Sequence, residues 1–503
     1  GVGGAGAWWD RGVGASGPPD GMRVVVDRRA RRLAGTDGGA ALLGGAPPRL
    51  VHLVPRAQAV LGDRDELTVV DPLTRALART LLDAGLAHPA PGIPGGPTRS
   101  EVTVVVPVKD RPLDALVATL PSEVALVVVD DGGADPEALA ATVKAAHGTV
   151  IRHETSRGPS ASRNAGLAAA TTPLVMFLDS DVVPQGDWLD PLLEHLADPT
   201  VALVAPRIVA LHPADARERG PAARLRSALG RYEAVRSSLD LGPDPALIVP
   251  RSRVAYVPSA AMLVRKAAVG RGFDEDMRVA EDVDLVLRLH AEGHRLRYEP
   301  RSRVAHDHRT EPAAWWLRKA YYGTGAAPLA RRHHGAVPPM VLSPWTAAAC
   351  AALLAQRRWS VPAAAAITAV AAQRLSRKLT RLDHPRGAAL RLASLGLSGA
   401  ALQVGDALLR HHWPLAALAA LVSRRARRAV LLAALAEGLG DWWTHRDRDA
   451  DVRIDPLTHL VAHRLDDLAY GSGLWWGALR HRDAAALLPV RPGAPPKGVA
   501  PVR

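Results

Sequence analysis

A single cysteine, Cys350, is present in 503 residues. No intrachain disulfide and no cysteine-based zinc site is therefore possible, and the chain suits a reducing compartment. Aromatic residues are scarce at 4%, and much of the 48% hydrophobic content is alanine, which favours helix but buries little surface. Long apolar runs are also missing. Residues 335–356 are uncharged but hold three prolines, and 359–373 and 392–405 are shorter still. None reaches the roughly 18 clean apolar residues of a spanning helix. The glycine-rich opening, residues 1–21, lacks a secretory apolar core and precedes Met22. It reads as a disordered leader or an overlong gene start, with no signal peptide.

What is present excludes a mini-domain and a disordered chain, because the length predicts two to four domains at roughly 100–200 residues each. Lysine and arginine total 63 against 50 acidic residues, a net charge of +13. Such an excess suits nucleic acid or an anionic membrane surface. Nine of the twelve tryptophans fall after residue 310, among paired arginines. No recognition helix or base-stacking motif accompanies them, so nucleic acid is not an expected partner. Short helices with arginine borders and tryptophans instead suit an anionic membrane surface on its cytoplasmic side, as interfacial or short membrane segments. A soluble alanine-rich bundle is the plainer alternative.

The expected organisation is a leader at 1–23, a small winged-helix-like module at 24–88, a Pro/Gly linker at 89–100, an α/β catalytic domain at 101–326, a helical region at 327–485 and a disordered tail at 486–503. Within 101–326, all-apolar runs at 102–108, 124–129, 150–151 and 174–178 alternate with helical stretches. Strands buried on both faces and separated by helices predict a mostly parallel α/β sheet, with the ligand site beyond the strands' carboxyl ends.

Polar residues gather at those ends. Asp179-Ser180-Asp181 follows the strand at 174–178, where two carboxylates can turn toward one hard cation, Mg²⁺ or Mn²⁺, that also meets substrate phosphates. Asp130-Asp131-Gly132-Gly133 follows the second strand and Pro107 and Asp110 mark the end of the first; carboxylates there can accept hydrogen bonds from a base or ribose. The segment 157–166 opens a helix with Gly158, Ser160 and Arg163, an anion-binding environment. Glu281-Asp282 begins an amphipathic helix, where Asp282 can act as a general base, although acidic residues also suit any helix N-terminus. His306-Asp307-His308 follows a strand-like run at 295–298 and can reach a metal or diphosphate.

Taken in order, these segments resemble the family 2 glycosyltransferases with a GT-A-type, Rossmann-like fold. The resemblance implies that Asp110 and Asp131 contact the nucleoside, that Asp179 and Asp181 hold nucleotide and divalent metal, and that Asp282 is the base of an inverting displacement. Pro107, Asp130, Arg163 and Glu281 complete the expected nucleotide-sugar set, and His306 the metal set. Gly133 departs from the family's usual serine, and the Q-x-x-R-W signature of processive enzymes is absent, Trp315-Trp316-Leu317-Arg318-Lys319 being a loose stand-in. Closer similarity, to the mycofactocin-system glycosyltransferases, lies in the segments 44–49, 256–265, 280–289, 306–309, 321–326 and 465–476. That family implies repeated β-1,4 transfer of glucose from UDP-glucose onto the peptide-derived redox cofactor precursor premycofactocin, and the N-terminal unit resembles PqqD-like peptide-recognition modules. The rival readings are a family 2 transferase acting on a cell-envelope lipid or polysaccharide, and a membrane-bound peptide-binding scaffold without activity.

Overall fold

The computed structural model describes residues 17–62, 65–211, 220–449 and 451–492. The expected leader up to residue 16 and the expected tail from residue 493 lie outside them. The chain divides into two compact units, one comprising 1–32, 42–214 and 237–308 and the other 33–41, 215–236 and 309–503. The α/β unit thus closes at His308 rather than at residue 326, and Pro221–Arg236 clusters with the C-terminal helices despite its place in the sequence.

In the first unit, strands Glu66–Thr68, Arg23–Val26 and Ala87–Pro89 form a small antiparallel sheet. Helix Pro72–Asp83 starts where Asp71 accepts a 2.7 Å hydrogen bond from the Thr74 amide, with proline at the first helical position. Its Ala78, Leu81 and Leu82 pack with Met22, Val24 and Leu42. Met22 is therefore core rather than leader. Ile93 joins the same cluster and the Ala90 amide donates to the Arg23 carbonyl at 2.8 Å, so the start of the expected linker at 89–100 is packed.

The main sheet runs in the order Val182–Gln185, Arg295–His306, Val201–Ala210, Ala261–Arg265, Leu174–Leu178, Val102–Val108, Ala125–Asp131, Thr149–His153, with Ala246–Leu247 paired beside Arg295–His306. The last four strands of that order are parallel. Ala261–Arg265 is antiparallel to both neighbours, Val201–Ala210 and Arg295–His306 return to the direction of those four, and the sheet is thus mostly parallel with antiparallel strands set into it. Apolar runs reveal burial on both faces but carry no strand direction. Alternation is strict where it matters. Val104, Val106 and Val128 face one core, and Val105, Val127, Val129 and Phe177 face the other. Arg295–His306 is a twelve-residue strand, longer than its apolar start suggests, and it carries His306 to the sheet edge.

The second unit is helical. Pro312–Thr324 and Pro456–His481 meet backbone to backbone: a Cβ on Gly473 would lie 1.7 Å from the Ala320 carbonyl oxygen, and one on Gly323 would lie 2.1 Å from that of Tyr470. The helix Pro385–His411 is long and apolar enough to cross a membrane by length and composition. The sequence expectation of no qualifying stretch fails here because the helix runs on past its glycines for 27 residues. Residues 486–492 are ordered rather than tail, with Leu487 in a small core and Val490 bridged to Val341.

Candidate active site

The site lies at the carboxyl end of strand Leu174–Leu178. Asp179 follows it, and its amide donates to the Ala260 carbonyl at 3.0 Å. The preceding residue, Ser259, donates its amide to Asp282 Oδ2 at 3.0 Å. Two consecutive residues thus tie Asp179 and Asp282 to one turn, although the two aspartates are about a hundred positions apart.

Arg163 binds the same pair of elements from the other side. Buried in helix Pro159–Ala169, it donates to Asp179 Oδ1 at 2.6 Å and to Glu281 Oε1 at 3.1 Å, and its guanidinium lies 5.3 Å from the Phe273 ring centre. Burial alone would favour loss of its proton, but Asp179 and Glu281 outweigh that and hold the charge in place. The expected role of Arg163 as an open cation for a diphosphate is therefore corrected. Its charge is already matched by two carboxylates, and it acts as a clamp.

Asp282 lies in the first turn of helix Glu281–Ala291, whose preceding residue, Ala280, is left-handed at φ 64°. A non-glycine residue there costs on the order of 1 kcal/mol and is characteristic of functional sites. Burial, then the charge of Glu281, push the Asp282 carboxyl up to about 7, against amide hydrogen bonds from Ser259 and Val283 and the charge of Arg163. A carboxyl that titrates near neutrality suits proton abstraction.

Asp181 and His306 meet across the sheet edge, with Asp181 Oδ1 3.5 Å from His306 Nε2. Asp181 Oδ1 and His306 Nδ1 are buried without a hydrogen-bond partner. Buried polar atoms are seldom left unmatched, and carboxylate oxygens with an imidazole nitrogen are a donor set that a divalent cation accepts. Asp181 and His306 therefore offer two of the donors that Mg²⁺ or Mn²⁺ takes.

The remaining expected residues separate. Asp131 is turned inward: it accepts from Ser156 Oγ at 2.6 Å, from the amides of Arg157 and Gly158 at 2.8 and 2.9 Å, and meets His153 Nδ1 at 2.9 Å. Burial opposes its ionisation, yet these bonds hold it well below the usual carboxylate range. With four partners its acceptor capacity is filled, so Asp131 is corrected from nucleoside contact to internal anchor. It thereby ties down the loop that leads into helix Pro159–Ala169. Asp130 is likewise engaged, accepting from the Gly133 amide at 2.8 Å and pairing with Arg152. Asp110 stays exposed at φ 53°, with one oxygen accepting from the Ala134 amide at 2.6 Å. Pro107 is half-buried within the first strand rather than beyond it. Of the expected nucleotide set, only Asp110 and Asp179 keep partly open carboxylates.

Phe273 has no signal in the sequence, whereas Ser259 and Asn164 fall within segments that carry the family resemblance. Asn164 holds the loop that carries Phe273, exchanging two 2.8 Å hydrogen bonds with the Phe273 backbone.

A family model described as "Glycosyl transferase family 2" matches residues 103–241, and one described as "Glycosyl transferase family group 2" matches 174–378. The chain is 47% identical over 479 residues, 94% of its length and 98% of the relative's, to "Pre-mycofactocin glycosyltransferase" of Mycobacterium tuberculosis. It is 29% identical over 194 residues to "Succinoglycan biosynthesis protein ExoU" of Rhizobium meliloti, covering 35% of this chain and 52% of that protein. Among solved structures, the mannosyltransferase PcManGT from Pyrobaculum calidifontis, in complex with GDP-Man and Mn²⁺, aligns with TM-score 0.35 and 20% identity. That alignment covers 71% of this chain and 90% of the other.

Proposed function

We propose, because this chain belongs to the pre-mycofactocin glycosyltransferases of glycosyltransferase family 2, that it moves glucose from UDP-glucose onto premycofactocin and extends the product as a β-1,4-linked oligoglucose. The chain is an enzyme, a glycosyltransferase with a GT-A-type α/β unit. The observation that carries the mechanism is Asp282: a carboxyl pushed up to about 7, held on a helix N-terminus by the same turn that holds Asp179.

In the proposed step the acceptor hydroxyl oxygen forms the new bond to the sugar's anomeric carbon. Its proton passes to Asp282, and the bond from that carbon to the diphosphate oxygen breaks with its electron pair leaving on UDP. Attack opposite the leaving group turns an α-linked donor into a β-linked product. A divalent cation held by Asp179, Asp181 and His306 would neutralise charge on the departing diphosphate. Arg163 keeps Asp179 and Glu281 in position, and the negative charge of Glu281 sustains the basicity of Asp282. Exposed Asp110 is the residue left to meet the nucleoside.

The C-terminal helical unit we read as the side that meets an anionic membrane surface from the cytoplasm; its arginine clusters and tryptophans support this reading. Incubation with UDP-glucose and premycofactocin, followed by mass spectrometry, tests the reaction. Successive hexose increments on the cofactor precursor are expected. A labelled product that extracts into organic solvent would assign the enzyme to a lipid acceptor instead.

A further inference from the structure

The helical hairpin formed by Trp413–Val422 and Arg424–His445 is built inside out. On the face of Arg424–His445 turned into its own unit, Asp441 accepts from Arg236 Nε at 2.9 Å and meets His459 Nε2 at 2.9 Å, and Glu437 meets His463 Nε2 at 3.1 Å. The same helix leaves Leu431, Leu435 and Leu439 exposed, at 57%, 51% and 43%. Their spacing of four places them in one stripe. The partner helix adds Leu415, Leu418 and Leu421, the last 77% exposed. A helix packed in water carries its apolar stripe inward and its charges outward. This one turns its acidic residues inward and its leucines outward, so that outer stripe is fitted to an apolar medium.

Charge and length identify the medium. Arg424, Arg425, Arg427 and Arg428 are exposed at the turn of the hairpin, and Trp443, 65% exposed, lies at the far end of the second helix with Arg446 stacked 3.7 Å from its ring centre. Arginine heads beside leucine, with tryptophan at the margin, match the phosphate layer over lipid chains. The first helix has ten residues, about 15 Å at 1.5 Å per residue and half the hydrocarbon thickness. Four arginines at the turn further bar tip-first insertion. We propose that this hairpin lies flat in the headgroup region of an anionic bilayer, leucines down and arginines on lipid phosphates, and so holds the enzyme on the membrane without spanning it. The proposal rests on the membrane reading given above and assigns it a surface.

Co-sedimentation of the full chain with large vesicles, phosphatidylcholine alone or with phosphatidylglycerol, tests it. Partitioning is expected to be at least tenfold stronger on the anionic vesicles and to fall in high salt. Leu431→Ser/Leu435→Ser/Leu439→Ser should reduce it more than tenfold, and Arg424→Ser/Arg425→Ser by about fivefold per arginine, both with turnover on the soluble acceptor retained. If the native chain binds anionic vesicles and the leucine variant binds them equally, the hairpin assignment is wrong while the membrane reading stands. Failure of the native chain to bind either vesicle overturns both. A dimer that the leucine variant turns into a monomer, by light scattering without lipid, would put a second copy on this face and overturn the proposal.

Discussion

At the scale of single residues, Asp282 is the group whose protonation the fold controls most consequentially. Its pKa rises from an ordinary 3.8 to about 7, so the fold favours the neutral form. Stability from this residue is complete below the unfolded pKa and is lost as pH rises through about 7. Asp282→Asn should therefore melt higher than the native enzyme at pH 8, by a margin that narrows toward pH 5 in differential scanning fluorimetry. The same variant should lose about 10²–10⁴-fold in kcat with donor affinity little changed, and native kcat should climb through about pH 7. A variant that kept near-normal turnover would remove Asp282 from the mechanism. Asp131 has the opposite sign: its carboxyl is held low, so its contribution is present above the ordinary carboxylate pKa and lost in acid. Asp131→Ala should cost about 2–3 kcal/mol near neutrality in urea denaturation, as charged hydrogen bonds vanish. Asp181→Asn should raise the concentration of Mn²⁺ needed for half-maximal transfer at least tenfold, and chelation should abolish native activity reversibly.

Elements are positioned here by close backbone approach. A Cβ at Gly166 would lie 2.2 Å from Val105 Cγ1, so helix Pro159–Ala169 sits tightly on strand Val102–Val108 and presents Arg163 to Asp179. Gly166→Ala should destabilise by about 1–3 kcal/mol through overpacking, despite alanine's gain of about 1 kcal/mol in helix propensity. Gly399 is the control: nothing lies within 4 Å of its Cβ position in helix Pro385–Asp406. Gly399→Ala should stabilise by roughly 0.5–1 kcal/mol. Opposite signs for one chemical change, read by thermal unfolding, separate packing from propensity. The strands at 102–108 and 174–178 were legible because apolar runs of that length between helices have few other readings. Direction was not legible, since Ala261–Arg265 opens on an apolar run like those of its neighbours and runs the other way.

For the molecule as a whole, chain order and spatial grouping differ. Pro221–Arg236 interrupts the α/β sequence yet belongs to the helical unit, where Arg236 pairs with Asp441 205 positions away. Breaking one partner of a largely buried ion pair is expensive, and Arg236→Met should cost that unit about 2–3 kcal/mol, after allowance for partial exposure. Tryptophan fluorescence is the suitable readout because nine of the twelve tryptophans lie beyond residue 310. A change confined to the α/β unit would contradict the grouping.

The sequence by itself determined the class of chemistry. Carboxylates at the ends of buried strands, a glycine-led helix between them and an acidic helix start are local features, set by spacing within a dozen residues, and they carried the family with them. Only the tertiary structure decided which of those carboxylates remain available. Asp130 and Asp131 sit at a strand end like Asp179, but hydrogen bonds from the adjoining loop and strand consume them, while Arg163 is neutralised by residues 16 and 118 positions away. Whether a charge is spent on the protein or kept for a substrate depends on partners that distant chain segments bring within 3 Å. Spacing along the sequence does not encode that distance.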